Sequence, residues 1–256
     1  MSFGNTFFLP DDFTDHPGQF CPASELRARE GALMEHMEDG ANESAPVPPV
    51  LTELADWINL HADTLAEDPD NPPAERFLRL SGDAFPEGRQ LHLGVMYSAI
   101  DETCVALQQK AAELGVCMLD DENNVWVNAT SGPEGAPAGL RLKDSTVGVT
   151  THVTRDSVRA VLTDDVARNE GTDGFPFIVV EPVEPENSPV PGVQFAQAAR
   201  LNGDWVVEYR AGHTMHHLEE PVTGIDDVVR YLGEYLDGDG DAFLGHDWST
   251  MDLEVR

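Results

Sequence analysis

The chain has 256 residues, of which 41% are hydrophobic, which is enough for a buried core and excludes disorder along the whole chain. At the ~150 residues of an average domain this length predicts one large or two small domains, and we expect two. The 47 acidic and 15 basic residues give a formal net charge of −32, which disfavours direct binding to nucleic acid or to an anionic membrane.

The first 49 residues are predicted to be a weakly structured N-terminal arm. A helical pattern over residues 24–37 is interrupted by Gly31, and the prolines between residues 46 and 49 mark a polar linker. The start of the chain shows no cationic segment followed by an apolar core, and no run approaches the ~18 apolar residues of a membrane span. We therefore expect a cytoplasmic protein.

Residues 50–140 are predicted to form a first α+β unit with the order α-β-β-α-β-β. Leu51, Leu54 and Ile58 fall on one face of a helix that must end before Pro69. A second apolar period starts at Ile100 and is closed by a glycine at position 115. Alternating apolar residues place strands near residues 77–80, 91–97, 116–119 and 125–127.

Residues 155–256 are predicted to form a second unit with the order α-β-β-β-β-α, joined to the first near residues 131–154. Apolar periods predict helices over residues 156–169 and 225–236. Strands are expected at residues 177–180, 193–200, 205–210 and 213–218, and the Asn202-Gly203 dipeptide favours a two-residue hairpin turn. The predicted fold class is α+β, with two small units that are each an antiparallel sheet with helices packed on one face.

The second unit resembles a known kind of bacterial module. The likeness rests on the helix, four-stranded meander and helix order, on Gly203-Asp204-Trp205-Val206-Val207-Glu208-Tyr209-Arg210 in the third strand, and on the segment from Tyr231 to Trp248. Over about residues 155–253 the chain is similar to type III secretion chaperone-like and toxin-immunity-like α+β modules. The resemblance implies protein binding rather than catalysis, without specifying the partner.

The strongest metal candidate is the segment Gly212-His213-Thr214-Met215-His216-His217, because imidazole is a favoured ligand of zinc and copper. Alternation along a strand would place His213 and His217 on one face and His216 on the other. No further ligand or catalytic base accompanies them, so ordinary strand histidines are favoured and neither a metal nor a cofactor is predicted. A metal-assisted enzyme with a His213/His217 site is the alternative function.

Two other patterns favour structural roles. Asp237-Gly238-Asp239-Gly240-Asp241 starts like a calcium loop, but position six is Ala242 and position twelve is Trp248, so a helix-terminating loop is favoured over weak cation binding. Cys21, Cys104 and Cys117 are odd in number and form no C-x-x-C motif, which predicts buried free thiols.

These observations favour a non-enzymatic, chaperone-like or immunity-like module that binds a protein, which we expect to be basic. Alternation puts Trp205 and Tyr209 on one sheet face and Glu208 and Arg210 on the other, and the last helix covers only one of them. We expect the other face to bind the partner through Glu208, Arg210, Glu219, Glu220, Asp237, Asp239 and Asp241. The sequence leaves three alternatives open: packing of that face on the first unit, a charge that serves solubility alone, and the number of chains in an assembly.

Overall fold

A computed structural model describes residues 2–12, 20–28, 45–63, 77–120, 122, 124–130, 139–145, 148–171, 174–220 and 222–252. The described residues form helices and mostly antiparallel strands, which confirms the α+β class. The chain divides into two compact units, Met1–Ser131 (unit 1) and Gly132–Arg256 (unit 2).

The described residues of unit 1 form two long helices and five strands of an antiparallel sheet, together with a separate pair of short strands. The helices are α1 (Pro49–His61) and α2 (Ile100–Leu114). The strands are β1 (Ser2–Phe8), β2 (Ala62–Asp63), β3 (Leu78–Arg79), β4 (Phe85–Glu87), β5 (Gln90–Met96), β6 (Cys117–Asp120) and β7 (Val125–Asn128). The sheet has the order β7-β6-β1-β5-β4, while β2 and β3 form a separate parallel pair.

The prediction of a weakly structured arm is wrong at its start, because β1 lies inside the sheet of unit 1. It pairs with β5 on one side and with β6 on the other, and Phe7 and Phe8 are fully buried. Residues 23–28 are helical, whereas the rest of the helical pattern over residues 24–37 lies outside the described residues. The partners of β1 are 82 to 115 positions away along the chain, so no local pattern identifies its central place.

The two helices of unit 1 follow from their own sequence. Leu51, Leu54 and Ile58 are buried along one side of α1, which has a proline in its first turn, where the absent N–H is not needed. Helix α2 ends at Gly115, whose left-handed φ of 66° lets its backbone N–H return to the carbonyl groups of the last turn.

The described residues of unit 2 form three α-helices and seven strands of an antiparallel sheet. The helices are α3 (Arg155–Asn169), α4 (Ile225–Leu236) and α5 (Gly240–Leu244). The strands are β8 (Leu140–Asp144), β9 (Val149–Thr151), β10 (Phe177–Pro182), β11 (Val193–Leu201), β12 (Asp204–Ala211), β13 (Thr214–Leu218) and β14 (Trp248–Asp252). Their order is β14-β13-β12-β11-β10-β8-β9.

The six predicted elements of the second unit are present, and four more surround them. Strands β8 and β9 occupy the segment predicted to be a linker, and α5 and β14 follow the helix predicted to be last. The strand expected to begin at His213 begins at Thr214. The added strands are only three to five residues long, so their positions depend on the partner strands rather than on a sequence signal.

Helices α3 and α4 pack against each other and on one face of the unit 2 sheet. Ile178, Ala198 and Val207 lie side by side on β10, β11 and β12 and are fully buried beneath these helices. The hairpin between β11 and β12 turns at Asn202 and Gly203, whose φ values of 54° and 98° are those that a tight two-residue turn requires. The predicted hairpin is confirmed.

Candidate functional site

The sheet of unit 2 has a second face on which none of its described helices packs. We call this the open face; it carries Arg141, Glu181, Phe195, Arg210 and Met215 on successive strands. Most of its side chains are half-buried, because neighbouring side chains shield one another. A face of this kind is a candidate surface for a partner.

The structure places Glu208 and Arg210 on the open face. Gln197 Nε2 donates a hydrogen bond of 2.6 Å to Glu208 Oε2, and His217 lies opposite Glu208 on the next strand. Arg210 Nε donates to the carbonyl oxygen of Gly212 over 3.1 Å, and no ion pair joins Arg210 to a carboxylate of the described residues. Their role in binding a partner stays a prediction.

The open face is not acidic. Glu181 Oε1 lies 2.7 Å from Arg141 Nε and 2.6 Å from Lys143 Nζ. Burial by itself would raise the pKa of Glu181, but the hydrogen bonds from Lys143 and Arg141 outweigh burial and hold that pKa below its usual value. With Arg210 and Glu208, this region of the face holds three cationic and two anionic side chains.

The other five predicted residues do not join Glu208 and Arg210. Glu219 and Glu220 follow the end of β13, and Asp237, Asp239 and Asp241 belong to the helical layer on the opposite side of the sheet. The predicted residues are therefore divided between two regions, because the connection from α4 to α5 returns on the helical side.

Exposed carboxylates lie in the segment that leads from α4 to β14 and in the segment that follows β13. We call the group the acidic rim; it consists of Glu219, Glu220, Asp239, Asp241 and Asp247. The backbone N–H of Glu219 donates to the carbonyl oxygen of Asp247 over 3.1 Å, and Glu219 also accepts a hydrogen bond from the Ser249 hydroxyl. No ion pair with a cation of the described residues engages any of the five. Asp247 is the member that sequence reasoning missed.

The acidic stretch from Asp237 to Asp241 joins two helices. Asp237 Oδ2 accepts hydrogen bonds from Arg155 on α3, the shorter of 2.7 Å, and Asp239 Oδ1 accepts one of 3.1 Å from the backbone N–H of Ala242 as the N-cap of α5. Gly238 has the left-handed φ of 69° that the tight connection needs. These roles agree with a helix-terminating loop.

The three histidines near β13 point to three different environments. His213 is exposed in the turn before β13, so the strand alternation that would align it with His217 does not extend to it. His216 stacks on Tyr209 on the helical side, with ring centroids 4.4 Å apart. His217 lies on the open face, and its buried Nδ1 has no hydrogen-bond partner. Within the described ranges no three His, Cys, Asp or Glu side chains are arranged to hold a metal ion.

All three cysteines are buried and free, as predicted. Burial, reinforced by Asp120 and Asp101, raises the pKa of Cys104 to about 11. Burial likewise raises the pKa of Cys117 to about 12. At neutral pH both thiols are therefore protonated and poor nucleophiles.

An aromatic cluster fixes α5 and β14 to the sheet. The ring of Phe243 lies 5.3 Å from Tyr209, 5.5 Å from Tyr235 and 5.4 Å from Trp248, centroid to centroid. Trp248 Nε1 donates a hydrogen bond of 2.9 Å to the carbonyl oxygen of Phe243. These contacts hold α5 and β14 against β12 and α4.

No helix within the described residues has both the length and the apolar character needed to cross a membrane. No family model matches the chain, and comparison with curated proteins and with solved structures gave no match.

Proposed function

We propose that this chain is a non-catalytic, acidic, cytoplasmic protein-binding module whose partner is a basic protein. In this proposal its two small α+β units act in a chaperone-like or immunity-like way, and unit 2 supplies the binding surface. The acidic rim is the observation that carries the proposal, and it replaces the acidic open face expected from the sequence.

The rim favours a basic partner for an electrostatic reason. Its five exposed carboxylates have no cationic partner among the described residues, and the hydrogen bond between the Glu219 N–H and the Asp247 carbonyl oxygen places two of these residues side by side. A partner that brings lysine or arginine side chains to the rim would reduce the repulsion among the carboxylates. Opposite charges across an interface also accelerate association, and salt screens the effect over about 8–10 Å.

The metal-assisted alternative receives less support from the geometry. His213 and His217 lie in a turn and on a sheet face, respectively, and no carboxylate or thiol within the described residues completes a metal-binding group with them. The buried thiols are held protonated, which also weakens a nucleophilic mechanism that depends on them.

Charge reversal of the rim tests the proposed function. We expect affinity capture from the native lysate to recover predominantly basic proteins with the wild type, and to lose them with Glu220→Lys/Asp241→Lys. High salt should likewise release these basic proteins from the wild type. The control Glu53→Lys/Asp56→Lys makes an equal charge change on the exposed side of α1 in unit 1 and should capture the wild-type set. A captured set that is the same for the rim variant as for the wild type would overturn the proposal.

A further inference from the structure

Strand β14 lies at the edge of the unit 2 sheet. It pairs only with β13 among the described strands, and its register runs without a bulge from Trp248 opposite Leu218 to Asp252 opposite Thr214. The strand Trp248-Ser249-Thr250-Met251-Asp252 contains no proline, glycine or lysine. Natural edge strands usually carry such a device against strand pairing, as β4 does with Pro86 in its three residues.

The backbone groups that face outward from this edge follow from the hydrogen-bond pattern. The bond from the Glu219 N–H to the Asp247 carbonyl oxygen makes these two residues a hydrogen-bonded pair. Inward and outward positions alternate along an antiparallel edge strand, so Ser249 points its N–H and C=O toward β13. Trp248 and Thr250 therefore point theirs away from the sheet.

We propose that β14 binds an extended, basic segment of the partner protein as an added antiparallel or parallel strand. This inference rests on the proposed function and specifies how the partner binds. The outward N–H and C=O groups of Trp248 and Thr250 supply main-chain hydrogen bonds, and the acidic rim selects lysine and arginine side chains on the added strand.

The net charge of the chain favours a basic segment over a second copy of the chain as the strand added to β14. Two copies that joined their β14 edges would each carry a formal charge of −32, and their repulsion opposes that pairing. The open face is a weaker docking surface for a basic segment, because Arg141, Lys143 and Arg210 lie on it.

The test uses a fluorescent peptide of about eight residues that alternates threonine and lysine, long enough to span a five-residue strand. We expect the wild-type protein to bind it in an anisotropy titration, and Thr250→Pro to weaken binding by about tenfold or more, because proline removes an outward donor. Thr250→Val keeps the N–H and should bind as the wild type does. In hydrogen exchange, the amides of Trp248 and Thr250 should become protected when the peptide binds.

A second probe keeps the proposal testable if Thr250→Pro misfolds. The same peptide, N-methylated at alternate residues, keeps its charge but loses the donors on one edge, and we expect wild-type protein to bind it at least about tenfold more weakly. Equal binding of both peptides, or no protection of the two amides, would overturn strand addition while leaving the proposed function in place. Failure of the wild type to bind the unmodified peptide would also overturn strand addition, and the lysate experiment decides the proposed function separately.

Discussion

At the residue scale, Asp165 is the most completely buried carboxyl group of the described residues, with no exposed surface. It accepts hydrogen bonds from the Ser145 hydroxyl, from Asn169 Nδ2 over 3.1 Å and from the backbone N–H of Phe177 over 3.0 Å. It therefore joins α3 to the ends of β8 and β10. Burial raises the pKa of Asp165, and the hydrogen bonds from Ser145 and Phe177 offset this shift only in part.

We expect the wild type and Asp165→Asn to differ in how their free energies of unfolding depend on pH, because only the wild type carries the ionisable group. A raised pKa means that the folded state holds the proton more strongly than the unfolded state. The associated stability is present in full below the unfolded pKa of 3.8 and is lost as the pH rises through the folded value. The asparagine cannot ionise, so the wild type should lose stability relative to the variant as the pH rises above the unfolded pKa of 3.8.

Urea unfolding of both proteins at matched ionic strength measures this difference. The substitution also turns one acceptor into a donor, which should cost about 1 kcal/mol at every pH. Asp156→Asn on the exposed side of α3 is the matched control for the charge change. The raised pKa of Asp165 would be contradicted if the difference in the free energy of unfolding between the two proteins stayed constant with pH. It would also be contradicted if the wild type gained stability relative to the variant as the pH rose.

At the scale of elements, α5 is stable only through its packing. A helix of five residues is too short to persist alone in water, and its one buried side chain is Phe243. The rings around Phe243 belong to β12, α4 and β14, so this residue ties three elements to α5.

We expect Phe243→Ala to lower the free energy of unfolding by about 3–5 kcal/mol, because it opens a cavity among these rings. Leu244→Ala changes the neighbouring side chain, which is 44% exposed, and should cost about 0.5 kcal/mol or less. Denaturant unfolding measures both values, and similar losses for the two variants would show that α5 is not anchored by Phe243.

At the scale of the whole molecule, the formal charge of −32 dominates the behaviour of the chain in solution. Only 15 basic residues are available to compensate 47 acidic ones, so most exposed carboxylates repel one another. Net charge far from zero opposes the compact state, because folding brings the like charges closer together.

We therefore expect the melting temperature to rise by several degrees as sodium chloride is raised from low to physiological concentration, because salt screens this repulsion. Salt also weakens the exposed ion pairs, such as Arg155 with Asp237, but pairs of this kind contribute little to the free energy of unfolding. Glu220→Lys/Asp241→Lys should melt higher than the wild type at low salt and gain less from added salt. A melting temperature that falls with salt would contradict a dominant role of the repulsion.

Features that depend on nearby residues were predictable from the sequence. The burial of Leu51, Leu54 and Ile58 follows from helical spacing, and the turn at Asn202 and Gly203 follows from their tolerance of positive φ. Alternation also predicted that Trp205 and Tyr209 share the covered face while Glu208 and Arg210 share the other. Net charge, and hence the expectation of a basic partner rather than nucleic acid, follows from composition alone.

Only the tertiary structure decided how distant segments combine. Strand β1 is central because β5 and β6 come to either side of it, and β14 is an edge because β13 is its one partner among the described strands. The same pairing places Asp247 beside Glu219, whereas Asp239 and Glu208 lie on opposite sides of one sheet. The physical reason is that local patterns fix the conformation of a few consecutive residues and which way their side chains alternate. Which strands become neighbours depends instead on the free energy of pairing and burial across the whole unit, a long-range quantity that no window of the sequence contains.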